Sequence, residues 1–141
     1  MRVVLDANVF VSAAIKTGPS HRLVQRWLKV GEFEVVVCPQ LIAEVTDVLM
    51  NRPRIRRWID LDAASRFVEL LGAVADVVPD PVAVEAMTRD RDDDYLVALA
   101  RRYAADFIVS GDRDLLEWVG QVPPVITPAA FEAALLENAR R

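Results

Sequence analysis

The chain alternates short apolar runs with longer segments of helical periodicity, and this alternation limits the folds open to it. Runs of Val, Ile, Leu and Phe are separated by segments in which apolar residues recur every three or four positions. Parallel strands buried on both faces are continuous apolar runs, and a helix commonly connects one such strand to the next. The pattern therefore predicts an α/β fold with a central parallel sheet covered by helices on both faces.

The same pattern predicts the individual elements. Strands are expected at 3–5, 34–37, 75–78, 107–109 and 125–126. Helices are expected near 7–16, 20–30, 39–50, 61–73, 94–104, 113–119 and 128–139. The loop-like stretch 78–92 is too short for an interdomain linker, and no repeat is present, so residues 1–141 are expected to form a single domain.

Composition argues against several classes of protein. Cys38 is the single cysteine and His21 the single histidine, so a disulfide, a Cys/His zinc site and a Ser-His-Asp triad are not expected. No apolar run approaches the roughly 18 residues of a membrane helix, and residues 1–15 lack signal-peptide features, so a cytoplasmic location without membrane association is expected. The formal net charge of -4 leaves nucleic acid open as a partner, because bound divalent cations would offset it.

Two acids lie at the carboxyl ends of predicted strands. Asp6 directly follows the apolar run that ends at Leu5, and Asp112 follows the run that ends at Val109. The carboxyl ends of parallel strands meet at one edge of a sheet, where open α/β sheets bind ligands. Asp6 is expected to be partly desolvated and to need a partner, for which a cation is the simplest choice.

Two further acids come from helical segments. Glu44 borders the apolar stripe of the helix near 39–50, and Asp94 opens the helix near 94–104. Each has a structural alternative: Glu44 as a solvated flank residue, and Asp94, like Asp112, as an acid favoured at a helix start. In a doubly wound sheet, Asp6, Glu44, Asp94 and Asp112 can all converge. Hard oxygen ligands favour Mg²⁺ or Mn²⁺ and suit attack of a metal-activated water on a phosphodiester.

Four blocks of the sequence resemble PIN-domain nucleases, in the order in which that family carries them. The blocks are residues 3–13, 38–45, 92–100 and 105–116. This resemblance implies a three-layer α/β/α Rossmann-like domain that cleaves RNA with Mg²⁺ or Mn²⁺. It also implies a toxin of a VapBC-type toxin-antitoxin pair, with a small antitoxin protein as partner and homodimerisation by analogy.

Carried over position by position, the resemblance makes four acids the catalytic and metal-site residues, with Asp6 and Asp94 as the principal ligands. The four are Asp6, Glu44, Asp94 and Asp112. Accessory roles fall to Asn8, Ser110 and Asp114. Ala7 is a departure, because many members carry Thr or Ser there, which puts one hydrogen bond around the site in doubt.

Arginine side chains supply hypotheses for substrate contact. A basic cluster around Pro53 leads into Trp58, a composition that would bind RNA phosphates and stack a base. The cluster consists of Arg52, Arg54, Arg56 and Arg57. The simpler interpretation is a solvated turn with Trp58 in the core. Arg113, beside Asp112, is the better-placed candidate.

The leading hypothesis is a metal-dependent endoribonuclease, and two alternatives remain open. One is a non-catalytic Mg²⁺-binding scaffold or receiver-like module, which would keep the same acids. The other is a phosphatase with Asp6 as nucleophile, since strand-Asp-x-Asn vaguely resembles the start of haloacid dehalogenase-type enzymes. Asn8 argues against the phosphatase, because an amide cannot donate a proton as a carboxylic acid does.

Overall fold

The computed structural model describes residues 1–82, 84, 85, 88 and 91–139, with the backbone alone for residues 91 and 92. Part of the predicted loop 78–92 therefore lies outside the described residues. The strands within them are β1 (Arg2–Leu5), β2 (Glu34–Val37), β3 (Asp76–Val77), β4 (Phe107–Val109) and β5 (Val125–Ile126). The α-helices are α1 (Ala7–Ile15), α2 (Pro19–Val30), α3 (Pro39–Asn51), α4 (Leu61–Val74), α5 (Arg91–Arg102), α6 (Arg113–Leu116) and α7 (Pro128–Ala139). A 3-10 helix spans Pro53–Arg57.

All five strands pair in parallel, in the order β3-β2-β1-β4-β5. From β1 the chain moves outward through β2 to β3, crosses back through α5 to β4, and ends at β5. With right-handed crossovers, the two directions place their connecting helices on opposite faces of the sheet. The three-layer α/β/α prediction is confirmed, and the switch point of the sheet lies between the carboxyl ends of β1 and β4.

Two helix ends differ from the prediction. Helix α5 begins at Arg91, three residues before the expected start, because acids are favourable near the positive end of a helix and extend it over the acidic run. Helix α6 ends at Leu116, where 119 was expected. The first difference changes which acid of the run 92–94 faces the sheet edge.

The core is built on the strands. Residues 3–5, 35–37, 108 and 109 are almost fully buried, as expected for a parallel sheet with helices on both faces. Phe131 of α7 packs against Phe33 and Phe107, with ring centroids 5.1 and 6.1 Å away. Cys38 is fully buried at the end of β2, where burial raises the pKa of its thiol to about 11.

Arg2 connects the strands at the amino edge of the sheet, opposite the switch point. Its guanidinium donates to Glu34 at 2.9 Å, to Asp76 at 2.8 Å and to the carbonyl of Tyr103 at 3.1 Å. Its backbone N–H donates to Asp106 at 2.9 Å. One side chain thus ties β1 to β2, to β3 and to the chain entering β4.

Among the helices described here, none combines the length and the apolar character that a membrane span requires.

Candidate metal centre

Three carboxylates meet at the switch point of the sheet. One oxygen each from Asp6, Asp93 and Asp112 lies within 4.8 Å of the other two. Asp6 ends β1, Asp112 follows β4, and Asp93 lies in the first turn of α5. Asp6 and Asp93 are buried and Asp112 is half-buried, so three acids share a partly dehydrated space at the ligand-binding edge of the fold.

Asp6 is fixed by hydrogen bonds to both of its carboxylate oxygens. Oδ1 accepts the backbone N–H of Asn8 at 3.2 Å, which makes Asp6 the N-cap of α1. Oδ2 accepts the hydroxyl of Ser110 at 2.7 Å. Burial raises the pKa of Asp6 above its usual value, the charge of Asp112 adds to this, and the two hydrogen bonds oppose it. A bound cation would remove the cost of the buried negative charge.

Ser110 joins the two strand-end acids. Its hydroxyl is fully buried, donates to Asp6 and accepts the backbone N–H of Asp112 at 3.0 Å. Asp112 in turn caps α6 by accepting the backbone N–H of Asp114 at 2.9 Å. The sequence prediction gave Ser110 and Asp114 accessory roles, and these contacts lie immediately beside the carboxylates.

Asp94 does not join this group. Its Oδ1 accepts the backbone N–H of Thr88 at 2.7 Å and the Thr88 hydroxyl at 2.8 Å, and the side chain is buried. Successive residues of a helix point about 100° apart, and it is Asp93 whose carboxylate oxygen lies with those of Asp6 and Asp112. The signal for Asp93 was present in the sequence as a run of three acids, but choosing among them required the helix start.

Glu44 lies on the wall of the cleft that contains the three carboxylates. The cleft has a volume of about 300 Å³. Its lining consists of Asp6, Ala7, Asn8, Glu44, Asp47, Val48, Arg52, Asp93, Leu96 and Asp112. Burial raises the pKa of the Tyr95 hydroxyl, and the adjacent Glu44 carboxylate raises it further, so this phenol stays protonated beside Glu44. Asn8 is exposed at the mouth of the same cleft.

The predicted arginines differ in their exposure to solvent and in their position relative to the cleft. Arg52 lines the cleft and pairs with Asp47 at 3.3 Å. Arg54 and Arg57 are exposed, whereas both terminal nitrogens of Arg56 are shielded from solvent. The side chain of Arg113 is 89% exposed, and it is not among the residues that line the cleft. Arg52 is therefore the member of the predicted set that borders the carboxylates.

The donor set suits a hard divalent cation. Within the described residues, the group contains carboxylates without a thiol or imidazole. Two oxygens on opposite sides of one Mg²⁺ are about 4.2 Å apart, because each Mg–O distance is 2.0–2.1 Å. Three oxygens no more than 4.8 Å from one another lie at most about 2.8 Å from a common point, so each needs to move by no more than about 0.7 Å to share one ion. The residues fit Mg²⁺, and Mn²⁺ prefers similar ligands.

A five-stranded parallel sheet with helices on both faces and acids at its switch point defines an open, doubly wound α/β protein. The particular family follows from the sequence, because the family model described as PIN domain matches residues 2–114. The chain belongs to the PIN domain family, which confirms the resemblance found in its motifs. No curated protein gives a significant match.

Solved structures share the fold at low sequence identity. The crystal structure of PAE2754 from Pyrobaculum aerophilum is 20% identical, with a TM-score of 0.62, and covers 100% of this chain and 91% of that one. VapBC2 from Rickettsia felis, bound to a DNA fragment from its promoter, is 9% identical, with a TM-score of 0.60, and covers 89% and 97%. The PIN domain of human SMG5 is 11% identical, with a TM-score of 0.53, and covers 96% and 99%. These likenesses confirm the fold.

Proposed function

We propose that this protein is a Mg²⁺- or Mn²⁺-dependent endoribonuclease that hydrolyses RNA phosphodiester bonds. The observation that carries the proposal is the meeting of Asp6, Asp93 and Asp112 at the switch point, with their oxygens within 4.8 Å of one another. Members of the PIN domain family are generally nucleases, and the match to residues 2–114 supports the same activity here. The position of the acids and the family match thus support the same activity.

Each residue of the proposed site has a role set by its contacts. Asp6, Asp93 and Asp112 would hold the cation, while Ser110 keeps two of these carboxylates in place through its buried hydroxyl. A bound divalent cation supplies an activated water and stabilises charge on the phosphate oxygens. Glu44, on the cleft wall, is placed to accept a proton from a water entering beside the acids. Asn8 is placed at the cleft mouth to orient a substrate oxygen.

The proposed ligand set includes Asp93, and the four-acid set from the sequence is revised accordingly. Asp94 has its carboxylate oxygen engaged by Thr88, which supports a structural role for it at the start of α5. Asp114 supports the site through its backbone N–H. We propose Asp6, Asp93, Asp112 and Glu44 as the residues on which activity depends.

The biological setting belongs to the same proposal. The protein is proposed as the toxin of a VapBC-type pair, held inactive by a small antitoxin protein. Fold similarity to VapBC2 of Rickettsia felis supports this coarse assignment. A homodimer, a cytoplasmic location and one domain over residues 1–141 complete the proposal. The continuous core, which joins β1 to the terminal helix α7, supports the single domain.

The test is cleavage of a panel of structured and single-stranded RNAs and DNAs in Mg²⁺, Mn²⁺ or EDTA. We expect wild type to cleave RNA only with metal, and Asp6→Asn to lose most of this activity while it keeps its circular dichroism spectrum. Asp62→Asn is the matched control, because Asp62 is an exposed acid in the first turn of α4. Full cleavage by Asp6→Asn would refute the assignment. Magnesium binding without cleavage of any substrate would instead favour the non-catalytic scaffold.

A further inference from the structure

An exposed basic and aromatic segment leads away from the candidate metal centre. Arg52 lines the cleft, the 3-10 helix Pro53–Arg57 follows, and Trp58 comes directly after it. Trp58 is 54% exposed, so the interpretation that placed it in the core is wrong. A 3-10 helix rises about 2 Å per residue, so the five residues between Arg52 and Trp58 span about 10 Å along the helix axis.

The positive charges close to Trp58 in the chain are accessible to a partner. The Arg57 guanidinium lies over the Trp58 ring, 5.3 Å from its centroid. Arg54 and Arg57 are exposed, and among the described residues no carboxylate forms an ion pair with either within 4.0 Å. An exposed tryptophan beside unpaired arginines suits a partner that offers flat rings and negative charges together.

We propose that Trp58, Arg54 and Arg57 bind a single-stranded segment of RNA next to the bond that is cut. This proposal rests on the proposed ribonuclease function and extends it to the substrate path. Trp58 would stack on an unpaired base, because aromatic faces bind bases irrespective of sequence. Arg54 and Arg57 would contact flanking phosphates, and Arg52 would join this platform to the cleft. Arg56 faces inward and is left out.

Binding is measured separately from cleavage. A fluorescein-labelled single-stranded RNA is titrated into the Asp6→Asn protein in EDTA. Each substitution below is then added to the Asp6→Asn protein and measured in the same way. We expect Trp58→Ala to weaken binding by about 5- to 100-fold and Trp58→Phe, which retains a ring, to weaken it far less. The slope of log affinity against log salt is negative, and Arg54→Gln with Arg57→Gln should reduce its magnitude by about 1.4, since each single-strand phosphate contact contributes about 0.7.

The controls separate RNA binding from packing and from a protein interface. Arg66→Gln removes an exposed arginine of α4 and should leave the salt slope unchanged. Circular dichroism checks the fold of each variant, and sedimentation measures its mass. Unchanged RNA affinity in folded Trp58→Ala would overturn the proposal, as would a change in oligomeric mass without a change in affinity. In the latter case the surface binds a second copy.

Cleavage kinetics distinguish this proposal from the proposed function. In the otherwise wild-type protein, Trp58→Ala should raise KM for a long single-stranded RNA more than it lowers kcat. An active wild type with the same KM in Trp58→Ala would leave the ribonuclease standing and refute the platform. An inactive wild type whose Asp6→Asn form still binds RNA through Trp58 would refute the catalytic assignment and keep the platform.

Discussion

At the scale of single residues, the buried hydroxyl of Ser110 determines how the two strand-end acids are held. It donates to Asp6 and accepts the backbone N–H of Asp112, so one oxygen fixes groups that follow different strands. A hydroxyl can do both at once because it carries a donor and acceptor lone pairs. Ser110 is fully buried, so bulk water does not compete for these two hydrogen bonds in the folded protein.

Ser110→Ala should therefore reduce both stability and activity. The substitution leaves the buried Asp6 oxygen and the Asp112 N–H without this partner, at a cost of about 1–3 kcal/mol in the free energy of unfolding. Urea denaturation would measure that loss, with Ser65→Ala on α4 as the control. Metal-dependent RNA cleavage should fall as the carboxylates lose their alignment. Unchanged stability and cleavage would show that Ser110 does not support the site.

The burial of Asp6 predicts a pH dependence for the metal-free protein. Its pKa is raised above the usual 3.8, so the folded chain holds this proton more tightly than the unfolded chain does. The contribution of Asp6 to stability is thus greatest below 3.8 and is lost as the pH rises through the raised pKa. Because an amide does not titrate, Asp6→Asn removes this loss of stability at higher pH.

In EDTA, the stability of Asp6→Asn relative to wild type should increase between pH 4 and neutral pH. Urea denaturation at a series of pH values measures the difference, and Asp62→Asn controls for a general change in net charge. Adding Mg²⁺ at neutral pH should reverse the order by stabilising wild type alone. A difference that stays constant with pH would contradict the assigned pKa shift.

At the scale of elements, the start of α5 decides which acid faces the cleft. Helix α5 begins at Arg91, and Asp93 lines the cleft while Asp94 accepts two hydrogen bonds from Thr88. Both residues carry the same carboxylate, but the rotation of the helix gives the two carboxylates different neighbours. They form a natural matched pair for mutagenesis.

Asp93→Asn should abolish most metal-dependent cleavage and the stabilisation by Mg²⁺, with little loss of stability in EDTA. Asp94→Asn should weaken the contact with Thr88 and lower the free energy of unfolding by about 1–2 kcal/mol, because its hydrogen bonds are charge-assisted. Thermal unfolding with and without Mg²⁺, at constant ionic strength, measures both effects. The opposite pattern, with Asp94 needed for the Mg²⁺ response, would restore the ligand set expected from the sequence.

The elements also explain what could be predicted from the chain. Strand β4 is apolar throughout and β1 is apolar from Val3 to Leu5, so the places of these strands in a parallel sheet follow from the sequence. Their carboxyl-end acids follow with them, which is why Asp6 and Asp112 were expected to lie close together. The position of Asp93 beside them was not predicted, because a helix start within an acidic run depends on packing that local sequence does not specify. The exposure of Trp58 was missed for a similar reason, since an aromatic residue after a turn has no periodicity to orient it.

At the scale of the whole molecule, the two ends of the parallel strands carry different kinds of contacts. The carboxyl edge carries the acids, whereas the amino edge is held together by Arg2 through Glu34, Asp76, Asp106 and the carbonyl of Tyr103. The Arg2 side chain is 30% exposed and its two ion-pair partners are more exposed, which limits the strength of these contacts.

Arg2→Gln should lower the free energy of unfolding by about 1 kcal/mol, after allowance for solvent screening of the partners. Cleavage and its metal dependence should stay unchanged at temperatures where the variant is folded, because the acids lie at the other edge. Urea denaturation and RNA cleavage measured on the same preparation test this. Arg102→Gln, on the exposed end of α5, is the control. A loss of cleavage without a loss of stability would show that the edges are coupled.

The distances along the chain between the cleft acids have a consequence for biosynthesis. Asp6 is made 106 residues before Asp112, and the two acids meet only after β4 has paired beside β1. A growing chain on the ribosome therefore contains most of the cleft wall before it contains a complete cation site. If the protein cuts RNA as proposed, the transcript from which it is being translated meets no complete cation site on that chain until Asp112 has been made.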